Sequence, residues 1–443
     1  MRLTGNGPVC ENPMNVLFIN DSSSNPNWGD RAAAIALRIM IGALNGKVDK
    51  SISEEELCGD CFSNPVEKQE AHKETKLEWW MKFCVPPVAI KVGGELYSLL
   101  CSSGNTGSRD IVPETWEEFP GALENVKTHR DHFSELMTTI EKSDLLLIHG
   151  GGCFVGNARI ARAELFLAYL AKRLFGKPVV LVNHTVDLDQ SNLLKIVQEM
   201  YPQLDDVVFR DSISYERCKG FCNGRVAADS AFWFKPIKSH DWVTVSCRPT
   251  YFDVWPDVAM FDPGKPYICL GGSSIYYYKK TYNASEGFAR LIRHLRSIYE
   301  GQIVLTASDL RDEALFRPIA KEFGLPLIGL NTPVQQSVDI LGNAQAYIGG
   351  RWHPSIFALR GGTPIITLSS LTFKMQALAQ MAGLAHATFN ALDLNGETGP
   401  IGSLLLNYLE QGEQLRSNLM EWAESESLKS WDNVAYLQRM QRA

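Results

Sequence analysis

Long apolar runs are missing from this sequence. None of its 443 residues belong to a stretch approaching the roughly 18 consecutive apolar residues that a membrane-crossing helix needs. Met1 to Pro13 is polar and glycine-rich, without the apolar centre of a secretory leader. Basic charge is outweighed: 43 Lys and Arg face 50 Asp and Glu, for a formal net charge of −7 and a pI near 5.8. That balance argues against non-specific nucleic-acid binding, which needs a basic face. No GxGxxG dinucleotide fingerprint occurs. Ten cysteines are present but not patterned, and Cys153, Cys247 and Cys269 sit inside apolar runs, as reduced buried thiols do. Cys58-Gly59-Asp60-Cys61 has no second CxxC to complete a zinc site, Cys84 and Cys101 being only loose candidates, so no metal site is expected. The chain is expected in the cytoplasm, with any membrane association peripheral.

What is present is a chain too long for one ordinary core, with 45% hydrophobic and 21% charged residues, as in globular proteins. Met14 to Asn20 reads as a buried parallel strand, followed by a polar loop and a helix from Arg31 to Leu44 with Asp30 as its N-cap. Residues 50 to 120 have no sustained period and read as an insertion; Trp79, Trp80 and Trp116 there could stack on a sugar or form local core. A helical stretch over Leu123 to Lys142 precedes the strand Asp144 to His149 and the turn Gly150-Gly151-Gly152. Helix Ala158 to Phe175 stops at Gly176, and strands end in Asn183-His184-Thr185 and Arg210-Asp211-Ser212.

After a linker over 234–241 a second series starts, with Val243 to Cys247 and Tyr267 to Leu270 read as strands, the latter ending in Gly271-Gly272-Ser273-Ser274. This predicts an α/β chain of two doubly wound, Rossmann-like domains facing a cleft, the GT-B architecture. The expected limits are 14–235, 241–410 and a helical tail over 411–443 anchored by Trp422, Trp431 and Tyr436. In such folds ligands bind where strand C-termini converge.

The most informative stretch is Gly349-Gly350-Arg351-Trp352-His353-Pro354, a strand end turning into a helix. A helix start offers unpaired N–H groups and a positive dipole end, Arg351 a fork of donors, and His353 a group that exchanges protons near neutral pH. The combination suits a phosphate or carboxylate. Arg210 is a second candidate cation, or pairs with Asp211 or Asp229 to hold the sheet rim. His149 and His184 either face the cleft or are satisfied core residues. The Tyr276-Tyr277-Tyr278-Lys279-Lys280 run is an acceptor platform or a solvated loop. Sequons at Asn20, Asn183 and Asn283 carry little weight without a secretory leader.

Several motifs, in order, carry a resemblance: Asn27-Trp28-Gly29-Asp30, Ile148-His149-Gly150-Gly151-Gly152, Arg210-Asp211-Ser212-Ile213-Ser214, Ala228-Asp229-Ser230, and above all Gly350-Arg351-Trp352-His353 with Gly362-Thr363-Pro364. With these the chain resembles the polysaccharide pyruvyl transferase family. The resemblance implies a GT-B-like fold and transfer of a pyruvyl group from phosphoenolpyruvate to a sugar as a ketal. It implies no cofactor beyond phosphoenolpyruvate as co-substrate, and a saccharide acceptor as partner. It assigns Arg351, Trp352 and His353 to donor binding; independently, ketal formation needs a cation clamp and an acid/base near pH 7, which makes Arg351 and His353 the expected catalytic residues. Arg210, Ser273 and Ser274 are further expected donor contacts; Asn27, Gly29, Asp30, His149, Gly151, Gly152 and His184 are expected on the acceptor side or in the cleft. Trp352 is bulkier than the family's usual residue, and Asn183-His184-Thr185 replaces a glycine-rich turn. A nucleotide-sugar glycosyltransferase, or a non-catalytic polysaccharide-biosynthesis protein of the same fold, is the alternative.

Overall fold

The computed structural model describes residues 12–62, 111–188, 191–237, 239–246, 260–277, 283–384 and 386–442. Two parallel sheets organise them. The first contains β1 (Met14–Ile19), β2 (Gly46–Ile52), β3 (Leu145–Val155), β4 (Val179–Asp187), β5 (Asp206–Phe209) and β6 (Arg225–Val226), in the order β2-β1-β3-β4-β5-β6. The second contains β7 (Tyr267–Ser273), β8 (Gln302–Thr306), β9 (Leu327–Ile328), β10 (Tyr347–Gly350) and β11 (Ile365–Thr367), in the order β11-β10-β7-β8-β9. Every described strand pair is parallel. Short runs such as Val16–Ile19 and Ile268–Leu270 are buried throughout, because helices cover both faces of such sheets. The order reverses between β1 and β3 in one sheet and between β7 and β10 in the other. Those are the switch points where a doubly wound sheet leaves a crevice.

The first helix, α1 (Trp28–Ala43), belongs to both halves. Its Leu37, Met40 and Ile41 pack on the first sheet, while Trp28, Ala32 and Ala36 enter the core of the second. Trp28 Nε1 donates to Leu330 O at 3.3 Å, and Arg31 Nη2 to Thr332 O at 2.8 Å. At the other end of the chain, α2 (Leu394–Lys429), a 36-residue helix broken at Gly412, packs on the second core through Leu405 and Leu419. Its continuation, α3 (Ala435–Met440), returns to the first sheet through Leu437. Trp422 meets Phe232 at the second core, and Trp431 and Tyr436 rest on the first. Among the described residues, no helix is long and apolar enough to cross a membrane.

Local structure departs from expectation in a few places. Helix α1 starts earlier than read: Asn27, not Asp30, is its N-cap, accepting from the N–H groups of Gly29 and Asp30. Asp30 is thereby in the first turn. The stretch 123–142 is two helices, Phe119–Thr128 and Ser134–Lys142. The glycine triplet is no turn after β3 but part of the strand, with Gly151 at φ +51° and the register to β4 shifted there. Residues 239–246 form a helix, not a strand, despite Val243, Thr244 and Val245. Trp242 and Ser246, one helical turn apart, are its buried positions, and Trp242 packs on Phe261 and Tyr267, so burial overrides β-branched propensity. Residues 46–58 supply an edge strand and a short helix, α4 (Glu54–Cys58), so the expected insertion begins inside the sheet. Trp79, Trp80, Cys84, Cys101, Cys247, Lys279 and Lys280 lie outside the described residues. Trp116 is half-buried among Phe119 and Tyr169, a local aromatic cluster.

Candidate active site at the facing switch points

A cavity of about 270 Å³ lies between the two switch points. Asn20, Ser22, Asn27 and Asp30 reach it from the end of β1 and the start of α1; His149, Gly151, Gly152 and Cys153 reach it from β3. The second half contributes Ser274, Ser308, Arg351, Trp352, His353 and Lys374.

The helix α5 (Trp352–Arg360) sets the last group. Arg351 is its N-cap, in extended backbone at φ −109°, and Pro354 occupies the first turn, where a missing N–H costs no helical hydrogen bond. His353 is 8% exposed, and its Nε2 has no hydrogen-bond partner among the described residues. The nearest carboxylate oxygen, Asp229 Oδ2, stands 3.5 Å away, too far for a well-formed hydrogen bond. The ring lies directly on the backbone of α1: a Cβ on Gly29 would come within 2.0 Å of His353 Nδ1. Gly29 therefore does not line the cavity. Its missing side chain is what lets a histidine of one half pack on a helix start of the other.

Asp229 ties the arrangement together. Its Oδ2 accepts from Arg210 Nη1 at 3.0 Å and from Trp352 Nε1 at 2.9 Å, and its Oδ1 from Ala231 N at 2.9 Å. Burial opposes its ionisation, but His353, Arg210 and these donors outweigh that and hold it well below the usual carboxylate range. The Arg210 guanidinium lies 5.0 Å over the Trp352 ring and gives Nε to Thr185 Oγ1. The two expectations for Arg210 are thus compatible: it pairs with Asp229, and it also lines the cavity, with Nη2 beside Gly152. Arg351 is also held by carboxylates. Its Nη2 donates to Asp312 Oδ1 at 2.7 Å and lies 3.5 Å from Asp309 Oδ1. Burial raises the pKa of Asp312, with Arg351 opposing.

Lys374 differs, since among the described residues no carboxylate pairs with it. It is half-buried on the helix Lys374–Met381, and burial, with Arg210 and Arg351 nearby, brings its ammonium down to about 8. Sequence reading missed this lysine, because it stands after a serine-rich loop with no motif around it. Glu54, at the start of α4, was missed for the same reason; burial, then the charges of Asp30 and Glu55, push its carboxyl up to about 7.

Other expected site residues are spent elsewhere. His184 is fully enclosed, bonded to Val208 O and Tyr201 Oη, and burial drives it down to about 3. Ser273 is buried, its hydroxyl donating to Ser369 O at 2.5 Å, so only Ser274 of that pair lines the cavity. His149 does reach the cavity. Its Nε2 meets Asn183 Nδ2 at 3.1 Å, its Nδ1 is unpartnered, and burial lowers it to about 4. Asn183 and Asn20 are buried at positive φ and serve as internal struts. Asn20 Nδ2 donates to His149 O and to Glu164 Oε1, both at short range.

The architecture matches solved structures of low sequence identity. One is UGT89C1 of Arabidopsis thaliana, solved with quercetin, at a TM-score of 0.52 and 11% identity over 96% of this chain and 99% of that one. Another is the spinosyn rhamnosyltransferase SpnG, at 0.51 and 11% identity, again over 96% of this chain and 99% of that one. These likenesses establish the fold as GT-B. No curated protein matches the chain in sequence. A cleft with Arg210, Arg351, Trp352 and His353 between GT-B halves is carried by the segment that the profile described as polysaccharide pyruvyl transferase matches, residues 96–371, more than half of the sequence; the chain belongs to that family.

Proposed function

We propose that the protein transfers the pyruvyl unit of phosphoenolpyruvate onto two hydroxyls of one sugar, in a polysaccharide or its lipid-linked or other glycan precursor, forming a ketal and releasing phosphate. The carrying observation is His353: a nine-tenths buried imidazole with an unpartnered nitrogen, in a cavity bordered by Arg210, Arg351 and Lys374. Phosphoenolpyruvate brings a phosphate and a carboxylate on one small enol. Fixed cations suit those anions and the charge that develops as phosphate leaves. Arg351 and Arg210 are held rigid by Asp312 and Asp229, and Lys374 supplies the charge that no carboxylate pairs with. The chemistry needs a proton on the methylene carbon, which gives the central carbon oxocarbenium character. We assign that delivery to His353. One hydroxyl proton replaces the one spent on carbon, and the second leaves with phosphate. No cofactor is required by this scheme, and it runs in the cytoplasm.

The nucleotide-sugar alternative would use the Ser273-Ser274 loop for a diphosphate. The Ser273 hydroxyl is already committed to Ser369 O, which disfavours it. The test is incubation of candidate saccharides with phosphoenolpyruvate, reading the pyruvyl mass gain by mass spectrometry together with phosphate release. Release of nucleoside diphosphate from a sugar nucleotide, with no pyruvyl product, would replace this reading by the rival.

A further inference from the structure

The cavity that holds Arg351 and Lys374 also carries acidic groups. Asp30 and Glu54 line it, beside Asn20 and Ser22. Neither carboxylate is paired with a cation among the described residues. Asn25 Nδ2 approaches Glu54 Oε2 at 3.3 Å, which orients the carboxyl. An independent observation points to a ligand here: His149 Nδ1 has no partner among the described residues, its side chain is over nine-tenths buried, and it lines the same cavity. A sugar hydroxyl is the kind of group that satisfies such a nitrogen and a carboxylate together.

We propose that Glu54 is the general base that takes the proton from the attacking acceptor hydroxyl, so that the sugar lies on the Asp30 and Glu54 wall while the donor lies against Arg351 and Lys374. This rests on the pyruvyl-transfer reading above. In the step, the hydroxyl oxygen bonds to the central carbon of phosphoenolpyruvate as its proton passes to Glu54. The enol π electrons take the His353 proton onto the methylene carbon, making it methyl. Phosphate then departs and the second hydroxyl closes the ketal, its proton leaving with phosphate. Glu54 returns its proton to solvent, and His353 regains one.

The surroundings tune Glu54 for this. Asp30 on α1 and Glu55 on α4 add negative charge beside it, while burial above all, with Glu54 adding to it, raises Cys58, Cys153 and the fully buried Glu164 of the helix Arg159–Phe175. Lys374 lines the same cavity. A carboxyl titrating near 7 accepts a proton at neutral pH and can release it again, unlike an ordinary glutamate.

The test compares wild-type protein with Glu54→Gln and Glu55→Gln, using phosphoenolpyruvate for calorimetry and a panel of p-nitrophenyl hexopyranosides offering vicinal or 4,6-diols as acceptors. In E54Q, turnover is expected to fall about 10²–10⁴-fold while phosphoenolpyruvate affinity at pH 6 stays within about two-fold. At pH 8 the E54Q protein is expected to bind phosphoenolpyruvate more tightly than wild type, because an ionised Glu54 repels the trianion. E55Q, a change on an exposed residue, is expected to keep turnover and shift the acidic limb of the rate profile to lower pH. Wild-type protein that transfers pyruvate while E54Q matches it in turnover and in pH 8 affinity would sink the role of Glu54 alone. Wild-type protein that neither binds phosphoenolpyruvate nor gains product would sink the transfer reading, and this role with it.

Discussion

The two rims that face each other across the cavity are built on the same plan and carry opposite chemistry. Each is a sheet edge at a switch point followed by a helix start. On the first, α1 begins Trp28-Gly29-Asp30 and β3 runs through three glycines, so the rim is open backbone with carboxylates from Asp30 and Glu54. On the second, α5 begins Trp352-His353-Pro354 behind Arg351, and Lys374 lines the same cavity, so the rim is cationic and carries the His353 imidazole. On the proposed reading the anionic donor lies against Arg351, Lys374 and Arg210, the last reaching in from the first half, and the hydroxylic acceptor lies against Asp30 and Glu54. Histidine shows the contrast most sharply. His184 of the first sheet is sealed by Tyr201 and Phe209 and is a core residue, whereas His353 keeps an unpartnered nitrogen at the cavity.

The comparison is broken hardest at His353. A His353→Asn protein is expected to lose about 10²–10⁴-fold in phosphate release while its melting temperature stays close to wild type; near-normal turnover would remove the proton role from the cationic rim. Next comes the contact between the rims. Gly29→Ala puts a methyl 2.0 Å from His353 Nδ1, so the imidazole must move, and a displacement of about 1 Å is expected to cost roughly 10²-fold in turnover. A smaller effect separates Lys374 from the two locked arginines. Lys374→Met is expected to weaken phosphoenolpyruvate binding about 10–100-fold in calorimetry, the worth of one charged hydrogen bond. Because its ammonium titrates near 8, wild-type affinity should fall as pH rises through that value, and K374M should lose that limb.

A further effect concerns stability rather than activity. His149 and His184 have folded pKa values depressed below 6.5, to about 4 and about 3, so the unfolded chain binds protons first on acidification. Their contribution is intact above about pH 6.5 and is lost as pH falls toward those values, at about 1.4 kcal/mol per histidine per pH unit. Thermal melts from pH 7 to 4 should show that slope, and His184→Phe should flatten it.

Much of this was legible in advance, but unevenly. The Arg351–His353 turn could be read because a strand end, glycines, a proline-containing helix start and a cation occur together in a few residues. Gly29 could be read as part of Asn27-Trp28-Gly29-Asp30, yet not for its reason, since the atom it makes room for is more than three hundred positions away. Asp30 was displaced from the cap by Asn27, which a single Asn-to-Asp choice in a polar loop does not resolve. Glu54 and Lys374 were invisible: one glutamate in a run of three and one lysine after a loop acquire meaning only from burial and neighbours.

The sequence by itself determined the doubly wound halves, the helix start at Arg351 and the family, because short apolar runs, glycine stops and local motifs act within a few residues. Only the tertiary structure decided that Asp229 would hold Arg210 and Trp352 with His353 nearby, that His184 would be sealed away, and that Lys374 would have no carboxylate partner among the described residues. Those outcomes depend on electrostatics and packing between separate segments, where Asp229 comes to about 3 Å from Arg210, 19 residues away, and from Trp352, 123 residues away, only on folding.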